Sequence, residues 1–108
     1  MFGNLFGLAE KIQKAKQEVA DARARLAETF IEKSSDDGKI RVRISADKNI
    51  HEIHIDPTLM QFDATYLSGK LRQTLNDALN EATAIQEREV KEALQRVMPD
   101  IPGLDKFF

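Results

Sequence analysis

Residues 38–59, GKIRVRISADKNIHEIHIDPTL, leave this chain little choice of local structure. Ile40, Val42 and Ile44 alternate with Lys39, Arg41, Arg43 and Ser45. Alternation with a period of two reads as a β-strand with one buried face. Ala46-Asp47-Lys48-Asn49 supplies turn formers, and a second run follows in which Ile53 and Ile55 lie opposite Glu52 and His54. Asp56-Pro57 ends that strand, because proline has no N–H for a ladder and restricts its predecessor. A hairpin with one apolar face is marginal by itself in water, so other elements must cover it.

The flanks supply the cover. Leu8, Ile12, Ala15, Val19, Ala22 and Leu26 recur at alternating spacings of four and three, a heptad seam on a helix free of proline and glycine from Leu8 to Phe30. Its alanines keep the seam narrow enough for close approach of a second helix. Thr29–Lys33 is rich in β-formers and predicts a short first strand, and Ser34–Gly38 a turn in which Gly38 takes a positive φ. Asp56 caps a turn begun by Pro57, and Asp63 is a second N-cap candidate. From Ala64 to about Met98 a second helix carries Leu67, Leu71, Leu75, Ala78, Ala82 and Ile85 on one stripe, continued by Val90, Leu94 and Val97. Gly69 is its weak point, at about 1 kcal/mol relative to alanine.

The reading is therefore α+β, in the order α–β–β–β–α, with a three-stranded antiparallel meander and two long helices. Residues 1–108 form one domain by length, with 1–7 and 99–108 as tails. A helix of about 34 residues is a rod of roughly 50 Å, against a radius of gyration of about 13 Å for a compact domain of this length. One small sheet is not expected to cover two such rods, so the stripes predict a homodimer. Leu8, Ile12, Val19, Leu26, Leu71, Leu75, Ala78 and Ala82 are its expected interface.

Charge and composition exclude several classes. Sixteen basic residues stand against 18 acidic, for a formal charge of −2, unlike a strongly basic nucleic-acid binder. The absence of cysteine excludes disulfides, thiolate metal sites and cysteine nucleophiles. No apolar run approaches the roughly 18 residues of a membrane span, and the N-terminus does not resemble a signal peptide. A cytoplasmic protein is expected. His51 and His54, three apart on a strand, are expected on opposite faces of the sheet and so not to share a metal. Asp36-Asp37 beside Gly38 lacks the ligand spacing of a calcium loop. With no recognisable serine–histidine–acid set and no glycine-rich phosphate loop, neither an enzyme nor a cofactor is expected.

What remains is a distribution of cations. Lys11, Lys14, Lys16, Arg23 and Arg25 lie on the first helix, Lys39, Arg41 and Arg43 on the outer face of a strand, and Lys70 and Arg72 early in the last helix. Such groups can displace counterions from phosphates. Equally, seam-flanking charges set helix pairing, and strand charges deter edge aggregation. Glu87, Glu89 and Glu92 make the end of the last helix acidic, a face that repels DNA.

The element order, the MFG start, the turn Ile55-Asp56-Pro57 with Leu59, and Asn76-Asp77-Ala78 in the last helix together resemble the YbaB/EbfC family of bacterial nucleoid-associated proteins. The first helix differs in having isoleucine, valine and alanine in its seam, where familiar members are rich in methionine and glutamine. The resemblance implies an intertwined, tweezer-like homodimer that binds double-stranded DNA at the nucleoid with loose or lineage-dependent sequence preference; the residues themselves make the cations of the first helix and the strand the expected contacts, mainly to phosphates. A protein-interaction module, clasping a partner between its helices, is the competing reading. A membrane-surface role fits poorly, because neither helix has a strongly cationic polar face.

Overall fold

The computed structural model describes the backbone of residues 2–98 and the side chains of residues 7–98. Helix α1 runs Phe2–Leu26, strands β1, β2 and β3 span Phe30–Ser34, Ile40–Ser45 and Ile50–Ile55, a 3-10 turn covers Pro57–Gln61, and helix α2 runs Ala64–Val97. No described helix is long and apolar enough to cross a membrane. The expected tail at 1–7 is helical from Phe2, because Gly3 and Gly7 weaken a helix without stopping it. The tail 99–108 lies outside the described residues.

Each boundary has a local cause. At the end of α1 the Thr29 hydroxyl donates to the Arg25 carbonyl, and the Thr29 N–H donates to Leu26, closing the last turn before Phe30 enters β1. Gly38 takes φ +73° in the β1–β2 turn. In the β2–β3 turn Lys48 is the residue with positive φ, at 70°, a position the sequence did not single out. The Asp56 carboxylate accepts from the Thr58 N–H at 2.8 Å, with Pro57 beginning the 3-10 turn. The Asp63 carboxylate accepts from the Tyr66 N–H at 2.8 Å and starts α2.

The sheet has the order β1-β2-β3, antiparallel throughout. Its inner face buries Ile31, Ile40, Val42 and Ile44 beneath Ala78 and Ala82 of α2, with Leu26 and Leu59 closing the ends. Burial of a Val or Ile side chain contributes roughly 1.5–3 kcal/mol relative to exposure. Beyond the sheet, Ala15, Val19 and Ala22 of α1 pack on Val90, Ala93 and Leu94 of α2 as a second cluster. Glu18 of α1 meets Arg96 of α2 at 3.4 Å beside this cluster.

This arrangement alters one premise of the sequence reading. The sheet covers only part of α2, and α1 packs along the remainder of α2 rather than on the sheet. The result is long, 71 × 21 × 17 Å with a radius of gyration of 19.7 Å. Given the Glu18–Arg96 register, the first three turns or so of α1 extend past Val97.

Candidate nucleic-acid interface

The outer face of the sheet is open. Arg41 and Arg43 of β2 are exposed there, and Lys39 is half-buried at the strand's start. The sequence alone does not show their neighbours. Arg43 stands in register between Glu32 of β1 and Glu52 of β3, and Arg41 between Ser34 and His54. Of the strand cations, Arg43 is therefore flanked by acids from both adjacent strands and Arg41 by none. No ion pair forms between Arg43 and either glutamate. Its guanidinium carbon lies 4.1 Å from the centroid of the Phe30 ring instead.

The two histidines also depart from expectation. Arg43 pairs with Glu52 but Ile44 pairs with Ile50, so a bulge leaves His51 without a cross-strand partner. The extra residue turns His51 toward the face that carries Phe30, in place of the opposite orientation that strict alternation predicts. The His51 ring meets Phe30 edge-on with centroids 5.2 Å apart, and its Nε2 lies 3.0 Å from Ser45 Oγ. Ser45 is fully buried, and its hydroxyl is also held by the Asp47 carboxylate. This trio is structural in form: the carboxylate bonds the serine rather than the imidazole. Among the described residues no three His, Asp or Glu side chains are grouped to hold a metal.

On α1, Lys11, Lys14, Lys16, Arg23 and Arg25 are all exposed. Lys11, Lys14 and Lys16 lie on the segment at and beyond the end of α2, and none of them forms an ion pair among the described residues. Other cations are engaged. Lys33 turns inward to Glu81 at 3.0 Å, and Arg96 meets Glu18. Lys70 binds Asp36 at 3.0 Å and Asp37 at 3.1 Å in the β1–β2 turn. That contact removes Lys70 from the candidate cations and leaves Arg72 exposed beside it.

Charge and hydrogen bonding in this turn reinforce one another. The Lys70 ammonium, by hydrogen bond and charge, holds the Asp36 carboxyl below its ordinary value. The Ser35 hydroxyl, the Lys39 N–H and Lys70 hold Asp37 further below. Asp36 and then Asp37 raise Lys70 in return. Asp56 is lowered by the Thr58 hydroxyl and N–H.

The eight apolar residues expected at a dimer interface divide into three groups. Val19, Leu26, Ala78 and Ala82 are buried within the chain's own clusters, so the monomer itself uses them. Leu71 and Leu75 are half-buried against the sheet cluster, and Leu8 and Ile12 are 43% and 37% exposed. A different apolar set stands open. Helix α2 lies across β1 and β2, and on β3 Ile53, in register with Val42, is 43% exposed. Met60 and Phe62 after β3 are 61% and 49% exposed, and Phe62 stacks on Tyr66 with centroids 4.5 Å apart. Sequence periodicity could not find Met60 and Phe62, because they follow the strand and precede the helix.

An elongated α–β–β–β–α chain with exposed cations on one helix and one strand has the attributes of a nucleic-acid-binding protein. Residues 1–97 match the YbaB/EbfC DNA-binding family, and the chain belongs to that family. It is 32% identical over 105 residues to a nucleoid-associated protein of Flavobacterium johnsoniae, covering 97% of this chain and 98% of the relative. It is 34% identical over 100 residues to one from Maricaulis maris, covering 93% and 87%. With one from Bordetella avium it shares 30% over 104 residues, covering 96% and 95%. Among solved structures, an uncharacterised Helicobacter pylori protein, HP0035, shares the fold. The TM-score is 0.65 at 22% identity, over 89% of this chain and 96% of that one. The family is a DNA-binding family, and the relatives from Flavobacterium johnsoniae, Maricaulis maris and Bordetella avium are each named as nucleoid-associated proteins.

Proposed function

We propose that this chain is a homodimeric nucleoid-associated protein of the bacterial cytoplasm. It binds duplex DNA mainly through phosphate contacts with little sequence preference, and so serves nucleoid organisation and gene regulation. One observation carries the reading: Lys11, Lys14 and Lys16 stand exposed and, among the described residues, without ion pairs on the segment of α1 at and beyond α2, while Lys33, Lys70 and Arg96 are neutralised by acids. Arg23, Arg25, Lys39, Arg41 and Arg43 extend the cationic set. Dimerisation through the open apolar surface of Ile53, Met60 and Phe62 doubles every patch and places two helical arms on one body. Salt-titrated fluorescence anisotropy of a labelled mixed-sequence duplex tests the reading. Affinity whose logarithm falls linearly with log salt supports it, with about 0.9 of slope for each phosphate neutralised. No binding at low salt overturns it.

The exposure of Leu8 and Ile12 on that arm favours a second reading, a clasp for another protein. Absorbance ratios of the purified protein separate the two, since co-purifying nucleic acid raises 260 nm relative to 280 nm.

A further inference from the structure

We infer that the outer face of the sheet is a stacking site for unpaired DNA bases, with Arg43 on Phe30 as its platform. The inference rests on the reading above, that the cations of β2 meet DNA, and names the form of DNA that this face takes.

The choice Arg43 makes is informative. Two carboxylates flank it in register, yet its guanidinium sits over an aromatic ring that is itself 46% exposed. Arg43 is exposed while its guanidinium carbon lies over the ring. Guanidinium planes and aromatic rings are the surfaces on which splayed bases stack. His51 adds a second ring, brought to Phe30 by the bulge and fixed by the buried Ser45 hydroxyl. Bulges of this kind re-aim side chains at functional sites.

The acids decide between duplex and single strand. Glu32, Glu52, Arg41, Arg43 and His54 line an open hollow of about 130 Å³ on this face. Glu32 and Glu52 beside Arg43 weaken the hold of this face on a duplex, which presents mainly phosphates to a flat sheet. An unpaired strand also presents base N–H groups, which carboxylates accept, as they do from the cytosine amine. Arg41 and Lys39 then remain for the flanking phosphates. Cations, stacking surfaces and hydrogen-bond acceptors together match a single strand better than a double one.

The test titrates the full-length protein into a twelve-nucleotide single-stranded DNA containing 2-aminopurine, whose fluorescence is quenched by stacking. A duplex of the same sequence is titrated in parallel. The expected result is quenching on binding by the native chain. Phe30→Leu should weaken single-strand binding about fivefold or more while leaving duplex affinity and its salt slope unchanged, and Arg43→Lys should weaken single-strand binding about fivefold more than duplex binding. Arg43→Lys keeps the charge and loses the planar surface, so it decides the matter if Phe30→Leu disturbs β1. Equal losses on single strand and duplex, or binding without quenching, overturn the inference. Tighter binding to RNA of the same sequence overturns DNA as the occupant. Native protein that binds the duplex but not the single strand sinks this inference alone, and protein that binds neither sinks the DNA reading with it.

Discussion

Lys70, two turns into α2, places its ammonium 3.0 Å from the Asp36 carboxylate at the tip of the β1–β2 turn. With the neighbouring contact to Asp37, this ties the turn to the helix that covers the sheet. The carboxyls of Asp36 and Asp37 are held below the ordinary carboxylate value of 3.8. Below about pH 4 the unfolded chain therefore binds more protons than the folded one, and stability falls as pH falls. Lys70 is raised above 10.5, so its share is present below that pH and fades as pH rises beyond it. Lys70→Met should leave a shallower decline of Tm between pH 5 and pH 3, followed by circular dichroism. The decline should not vanish, because the Ser35 hydroxyl and the Lys39 N–H still lower Asp37. Identical acid limbs would show that the bridge contributes nothing.

The cations of the α1 arm and of β2 can be separated by their salt dependence. Changing Lys11, Lys14 and Lys16 together to glutamine should weaken duplex binding for every sequence tried. The salt slope should flatten by about 2.7 if each lysine meets one phosphate. Arg41→Ala with Arg43→Ala should also weaken duplex binding uniformly if β2 is part of the same surface. An unchanged slope in the first variant removes the arm from the site, and unchanged affinity in the second removes the strand.

Met60 is 61% exposed and Phe62 is 49% exposed, and neither has a place in the two buried clusters. If they lie at a self-interface, Met60→Arg or Phe62→Arg should convert a two-chain species to a single folded chain in sedimentation equilibrium. The helical circular dichroism should remain, because the clusters within each chain are untouched. A native protein that sediments as one chain would refute the homodimer.

How much of this was legible in the sequence depends on the range of each determinant. Period and punctuation are local, so the alternation of Ile40, Val42 and Ile44, the caps Asp56 and Asp63, and the positive φ of Gly38 were all readable. Registers are not local. That Arg43 falls between Glu32 and Glu52 depends on how three strands align, and a bulge at His51 cannot be seen in a six-residue run. Ion pairs such as Lys70 with Asp36, 34 residues apart, are hidden for the same reason. The apolar stripes were visible, but whether Val19 and Ala82 face their own chain or another is a question of tertiary packing, which periodicity does not address.

Gly69 offers a stabilising change. A Cβ built on it meets nothing within 4 Å, and its φ lies outside the left-handed region. Gly69→Ala should therefore raise stability by about 0.5–1 kcal/mol in urea unfolding, by improving helix propensity and restricting the unfolded chain. A loss of stability would mean that the position is covered in solution.

Ala22 and Ala93 show the opposite constraint. Both are completely buried in the cluster that joins α1 to α2, where small side chains let the two backbones approach. Ala22→Leu forces extra methylenes into that seam and should lower stability by about 1–3 kcal/mol. Leu8→Ala, on the same heptad stripe but 43% exposed, should change it by less than about 0.5 kcal/mol. Urea unfolding of the two variants compares them directly. The contrast separates the part of the stripe that joins helices within the chain from the part that extends as an arm. If Leu8→Ala proves as damaging as Ala22→Leu, then Leu8 is buried in the assembled protein, and the arm takes part in self-association.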